Sequence, residues 1–372
     1  METDFSEFDV EMTRRALDLA ALGIGQVSPS PLVGCVIVAE GGEVVGQGTY
    51  IYENVTHAEV LALQQAGEKA KGATAYVSLE PHAHQGRTKP CTDALINAGI
   101  KRVVAPIEDP NPLVSGKGFE QLRRSGIEVV TGILREEAAR MNEKFCVWHQ
   151  KKRPFVHLKL AMSLDGRISL RNSVSTRLSG KQSSARVQDL RHEHDAILVG
   201  GSTAFVDNPS LTDRSGKPRR RKLVRVVLDN RLRIPLESNL VANAKETPTL
   251  IISNSNDEEK TKKLIENGIE VVRKNSRDLS VVLEELRKRD LQSVLVEGGT
   301  EVAGAFCDAK LVDKLTFIVA PIIIGGGVAP PAIGGDGANS LENAMRLRQM
   351  QISKFGEDLE ITGYPVSEET CD

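Results

Sequence analysis

The feature that most restricts the fold is an alternation that stops once and then resumes. Short β-branched and apolar runs trade places with segments of helical period from residue 10 to residue 147, and again from residue 155. Between them lies KKRPF (151–155), a charge run and a proline that break the pattern. Strands alternating with helices pack as largely parallel sheets covered by helices, so the pattern predicts two α/β domains, at 1–148 and 149–372. A chain of 372 residues has length enough for both.

In the first half the pattern predicts strands at 35–39, 73–79, 101–105 and 128–131, with a hairpin turning at Gly41-Gly42. Helices are predicted at 10–23, 57–66, 92–98, 119–125 and, unbroken, 136–147. The second half reads as strands at 155–161, 196–199, 224–228, 249–252, 293–296 and 315–319, and as helices at 183–192, 258–267, 279–288 and 301–307. Residues 214–222 (RSGKPRRRK) form a basic loop, which is either simply solvated or attracts a phosphorylated ligand. The last six residues, SEETCD, are expected to fray.

Charge and cysteine usage narrow the partners. With 48 basic and 50 acidic residues the net charge is −2, without the basic excess that phosphate neutralisation demands. One Trp, four Tyr and nine Phe leave few platforms for stacking bases. A nucleic-acid partner is therefore not expected. Five scattered cysteines argue against a disulfide framework. The acidic start, METDFSEFDVE, is unlike a signal peptide, and no apolar run is long enough for a membrane span. These features predict a cytoplasmic protein without a membrane partner.

Two segments of the first half carry chemistry. One is His57-Ala58-Glu59; the other is PHAHQGRTKPC, from Pro81 to Cys91. Zinc deaminases combine H-x-E with a later P-C…C segment. Three protein ligands leave one tetrahedral position for water, whose pKa the metal lowers toward about 7. The glutamate is no ligand and shuttles protons. Here His57 and Cys91 fit as ligands and Glu59 as the shuttle. His82 occupies the position after Pro81 where a cysteine is expected, and an imidazole can also bind zinc. His84, two residues on, could compete.

In the second half no G-x-G-x-x-G follows the first strand. Instead SVLVEGGTEVAGAF reads as strand, glycine turn, helix. Gly298 and Gly299 would let the backbone approach a phosphate at the helix N-terminus, or simply make a structural turn. Cys35, Cys146, Cys307 and Cys371 have no partners at metal spacing and read as packing or surface residues. His149, His157, His192 and His194 read as structural.

Taken together, SPSPLVGCVIV, HAEVLAL, GEKAKGATAYVSLEP, HQGRTKPC, EDPNPLVSGKG, RPFVHLKLAMSLDGRIS, LRHEHDAILVGGSTAFVDNPSLTDR, VLVEGGTEVAGAFCDAKLVDKLTF and APIIIGGG resemble one family over nearly the whole chain. It is the bifunctional deaminase–reductase of bacterial riboflavin biosynthesis. The resemblance implies a cytidine-deaminase-like α/β/α domain followed by a dihydrofolate-reductase-like α/β domain, with zinc and NADPH as cofactors. The implied substrate is a small phosphorylated pyrimidine, deaminated at C2 and then reduced from ribosyl to ribityl. A homo-oligomer, dimer or tetramer, is expected.

The resemblance also implies residues. Gly299, Thr300, Glu301, Val302, Ala303, Gly304 and Ala305 would cradle NADPH. Ala161, Ser175, Arg177, Thr203 and Asp207 would line the nicotinamide or substrate pocket. Arg191, Leu211 and Arg214 would hold the ribose phosphate, guanidinium being suited to it by its paired donors. Lys159, Asp207 and Glu297 are candidates for sugar contacts and proton supply, although Lys159 and Glu297 also read as a buried structural ion pair. The chain departs from the family at Ser30 (asparagine there), Tyr50 (histidine), His82 (cysteine), Arg177 (tryptophan) and Asn208 (aspartate). Three of these changes surround one pocket, so a reductase with a purely structural deaminase domain is the alternative expectation.

Overall fold

The computed structural model describes residues 5–86, 88–172 and 174–366. Cys371 and the SEETCD tail lie outside them. The described chain forms two compact units. One holds the residues up to Arg153 together with Pro218–Arg220; the other holds Pro154–Lys217 and the residues from Arg221 onward.

The first unit is built on five strands: β1 (Gly34–Val38), β2 (Val44–Thr49), β3 (Thr74–Val77), β4 (Arg102–Ala105) and β5 (Glu128–Thr131). Their order is β2-β1-β3-β4-β5. β1 runs antiparallel to both neighbours, while β3, β4 and β5 are parallel. All five residues of β1 are buried, and side-chain alternation divides them between two cores. Val36 and Val38 join Met12, Ala16, Tyr76 and Val104 beneath the helix Glu7–Ala21. Cys35 and Ile37 join Ala58, Ala62, Ala75, Val77, Leu95 and Val103 on the other face. The result is a helix–sheet–helix sandwich.

One close approach positions the chemistry. Helix Ala58–Ala66 lies directly on β2, where a Cβ at Gly48 would sit 2.1 Å from the Ala58 carbonyl oxygen and one at Gly46 2.0 Å from that of Ala62. Only glycine permits this packing. The buried alanines at 58, 62 and 66 answer it from the helix side.

The predicted helix at 136–147 is interrupted, and this corrects the sequence reading. The chain forms Arg135–Met141 and then Glu143–Gln150. At the break, buried Asn142 turns its amide onto the backbone of Leu32, accepting from its N–H at 2.8 Å and donating to its carbonyl at 3.0 Å. An asparagine that satisfies a distant backbone pair has a reason to leave the helix.

The second unit carries nine strands: β6 (Phe155–Ser163), β7 (Ala196–Gly200), β8 (Val224–Leu228), β9 (Thr249–Ser253), β10 (Glu270–Arg273), β11 (Ser293–Val296), β12 (Lys314–Ala320), β13 (Leu347–Phe355) and β14 (Asp358–Pro365). The order is β10-β9-β8-β7-β11-β6-β12-β14-β13. Pairing is parallel from β10 through β12 and antiparallel for β14 and β13. The long parallel series is the expected part. The terminal hairpin and β10 were absent from the sequence expectation. Residues 348–354 of β13 are exposed without alternation, and Gln349 adopts φ 51° where the register slips. No described helix is long and apolar enough to cross a membrane.

Candidate active sites

In the first unit, two helix starts and one loop converge. His57 is the residue before helix Ala58–Ala66, in extended conformation, and Glu59 sits buried in that helix's first turn. Cys91 opens helix Cys91–Asn97 and is fully buried. His82 arrives from the loop after β3. Ligand atoms of His57, His82 and Cys91 all lie within 4.8 Å of one another. Cys91 Sγ is 3.4 Å from His57 Nδ1. Among the described residues His84 is not in this group; its ring stands edge-on to His82 at 5.3 Å.

The donor set fits zinc: two half-buried imidazoles and one buried thiol, tightly gathered. Burial first, then the charges of His57 and His84, pull His82 down to about 4, so it is neutral, the form that ligates. Burial pushes the Cys91 thiol well up, and nearby Glu59 adds to this. A dication reverses that preference by stabilising the thiolate. Glu59 Oε2 is buried and makes no hydrogen bond, an unusual state for a carboxylate oxygen outside a reacting centre. The ring of Tyr50, one of the departures, is buried 5.0 Å from that of His57. Ser30 lies half-buried in the turn before β1, its N–H bonded to the Val27 carbonyl.

Sequence reasoning missed Glu80. This buried carboxylate lies in the loop after β3 and accepts four backbone N–H groups. Oε2 takes Asp109 and Gly116 at 2.9 Å each, and Oε1 takes Gly118 at 2.8 Å and Phe119 at 3.1 Å. It thus locks the 109–119 segment to the start of the His82 loop. Nothing periodic marks such a residue; its only sign is its place directly before Pro81. Asp109, under the same clamp, is pushed up to about 7, chiefly by burial and also by Glu80. Replacing Glu80 with glutamine leaves one carbonyl oxygen to serve four donors. Outer partners of ligands typically contribute 10–100-fold to metal affinity, so Glu80→Gln is expected to weaken zinc retention by about that factor in a chelator competition.

In the second unit the chemistry gathers where β11 ends. Glu297 follows β11 and pairs with Lys159 of β6, Nζ to Oε2 at 3.5 Å. Arg191 grips the same carboxylate with two donors, Nε at 2.8 Å and Nη2 at 3.1 Å, and donates Nη1 to the Thr212 carbonyl. Burial alone would raise the Glu297 carboxyl, but Lys159 and Arg191 outweigh it and hold it near 2. Arg191, read as a phosphate holder, is therefore committed to Glu297 here. Arg214 is exposed and its N–H is bonded to the Gln188 side chain.

The glycine turn behaves as the residues suggest. A Cβ at Gly298 would lie 2.6 Å from Val302. Helix Thr300–Asp308 follows, with Gly299 as its N-cap and close to Thr203. Gly299 and the first-turn residues Thr300, Glu301 and Val302 remain at least partly accessible. Ala303 and Gly304 turn inward, Ala303 into the core and Gly304 against Gly334 and Gly335, while Ala305 is exposed. The Thr300 hydroxyl is already bonded to the Pro331 carbonyl at 2.6 Å.

Ala161 is half-buried on β6, opposite Ile318. Asp207 is exposed at the end of helix Gly201–Val206, and Leu211 is buried with φ 48°. Asn208 receives Asn239 N–H groups on its side-chain oxygen and its carbonyl, at 2.8 and 2.7 Å, holding the next segment; an aspartate offers the same two acceptors, so these bonds do not explain the departure. Ser175 and Arg177 are exposed, and Arg177 donates to Ser184 Oγ at 3.1 Å.

Comparison with known proteins accords with both centres. A profile described as the RibD C-terminal domain matches residues 154–361, and one described as the cytidine and deoxycytidylate deaminase zinc-binding region matches residues 6–106. The riboflavin biosynthesis protein RibD of Aquifex aeolicus is 42% identical over 95% of this chain and 98% of its own length. That of Escherichia coli is 38% identical over 93% and 96%. Acinetobacter baumannii RibD superposes with a TM-score of 0.86 at 33% identity, covering 97% of this chain and 99% of that one. A diaminohydroxyphosphoribosylaminopyrimidine deaminase/5-amino-6-(5-phosphoribosylamino)uracil reductase from Thermotoga maritima superposes with a TM-score of 0.85 at 32% identity, covering 96% and 99%. Donor cluster, buried ion-pair centre and near-complete coverage by these relatives agree: the chain belongs to the RibD family of riboflavin biosynthesis proteins, enzymes with a deaminase and a reductase domain.

Proposed function

We propose that this chain deaminates a diaminopyrimidinone ribosylamine 5′-phosphate and then reduces its ribosyl group to ribityl. The observation that carries the reading is the three-donor cluster of His57, His82 and Cys91 beside a Glu59 oxygen with no partner. Zinc at these donors would supply Lewis acidity. Glu59 takes a proton from the attacking water, passes it to the ring nitrogen, and assists loss of the amine as ammonia. In the second unit a bound NADPH would supply the hydride for reducing C1′ of the opened ribose. The Gly299–Val302 turn would face its phosphates, Thr203 and Ala161 its nicotinamide end. Lys159 gives the balancing proton to the substrate, and Glu297 holds its ammonium in place. Ser175, Leu211 and Arg214 would border the phosphorylated sugar.

We also place the enzyme in the cytoplasm as a homo-oligomer. Scattered, unbridged cysteines among the described residues support the first. Exposed Met350 and Ile352 on the edge strand β13 support the second. Product analysis with substrate and zinc, with and without NADPH, tests the main reading. A deaminated ribosyl product is expected without NADPH and a ribityl product with it. Reduction of supplied deaminated substrate, with no deamination at any zinc level, would instead establish a reductase whose first domain is structural.

A further inference from the structure

We propose that the deaminase-side centre is a single-thiolate metal site with relaxed selectivity, admitting cobalt(II) far more readily against zinc than a two-thiolate site would. The proposal rests on the metal-binding reading above and concerns what His82 does to it.

The charge count comes first. Zinc deaminases with a His/Cys/Cys set place two thiolates on the dication and reach a net charge of zero. Here the gathered donors are His57, His82 and Cys91, so one thiolate is present and a bound dication keeps one positive charge. Thiolate is the soft donor that favours zinc, whereas imidazole is shared more evenly among zinc, iron, nickel and copper. Exchanging one for the other removes attraction and selectivity together.

The imidazole is built in. His82 is half-buried, with its ring 4.6 Å from that of His57 and 5.3 Å from that of His84. The ring of Tyr50 lies 5.0 Å from that of His57. Its backbone is fixed on both flanks. Upstream, Glu80 is anchored by four N–H groups. Downstream, the His82 carbonyl accepts the Thr92 N–H at 3.3 Å. Thr92 is held in turn by Gln121 at 2.8 Å, and Gln121 by Asp93 at 2.7 Å. The longer side chain thus occupies a cysteine's position on a backbone held at Glu80 and at its own carbonyl, with its ring between those of His57 and His84.

The experiment uses the full-length chain, stripped by chelator and titrated with zinc and with cobalt(II) in competition, beside His82→Cys. The zinc-to-cobalt affinity ratio is expected to be at least roughly tenfold lower in the wild type than in His82→Cys. Cobalt-loaded wild type should show a sulfur-to-cobalt charge-transfer band of one thiolate, stronger in His82→Cys, absent in Cys91→Ser and unchanged in His84→Ala. Equal affinity ratios, or a wild-type band that survives Cys91→Ser, would overturn the proposal while leaving a metal site in place. Failure of wild type to bind either metal would overturn the metal reading itself. If His82→Cys does not fold, the wild-type, Cys91→Ser and His84→Ala spectra still decide the ligand set.

Discussion

Glu59→Gln is expected to reduce deamination about 10²–10⁴-fold, the contribution of a positioned general acid–base, while zinc content and NADPH-dependent reduction stay at wild-type levels. The separation follows from the geometry. Glu59 is not among the three gathered donors, so its amide need not disturb the metal. Its Oε2 makes no hydrogen bond, so no structural contact is lost there. Parallel assays of ammonia release, NADPH oxidation with deaminated substrate, and zinc content check it. Loss of zinc along with activity would make Glu59 a ligand or a folding element and defeat the assigned role.

The second large effect is expected at Glu297. Removing it as Glu297→Ala leaves the Lys159 ammonium and the Arg191 guanidinium buried without their shared counter-charge. Breaking a buried pair from one side typically costs about 3–5 kcal/mol, so denaturant unfolding of the second unit should shift by that order and reduction should be lost. Glu297→Gln preserves shape and isolates the charge. The sign of its pH effect can be worked out. The carboxyl's native pKa lies below its ordinary value, so the pair stabilises the fold fully above pH ~4.5 and the contribution fades as pH falls toward 2. Wild type should lose stability across that window more steeply than Glu297→Gln. Identical acid slopes would show that the carboxylate is not bound to its partners as strongly as its geometry indicates.

These two sites also show where sequence reading reaches and where it stops. His57, Glu59 and Cys91 were legible because zinc chemistry demands those residue types at those spacings. The choice between His82 and His84 was not. It depends on how the loop after β3 is pinned, and that in turn depends on Glu80, a residue whose partners are backbone groups about 30 to 40 positions away. Apart from β10, the parallel strands of the second unit announced themselves as short apolar runs. β13 did not, because an edge strand exposed on both faces has no burial to impose a period. Arg191 was marked only by the resemblance, as a holder of the ribose phosphate. Its engagement with Glu297 required two helix and strand ends to meet in space, which no local pattern encodes.

Asn142 carries a lesson about where a working unit ends. The zinc-binding profile stops at residue 106, and the metal donors all precede that point. Yet the backbone of Leu32, two residues beyond the turn that holds Ser30, is completed by an amide from residue 142. A chain cut at the edge of the recognisable motif would keep every donor and lose this fastening. For domain swaps or grafted deaminases, the portable cassette therefore extends through the broken helix, since residue 142 fastens the segment between Ser30 and β1.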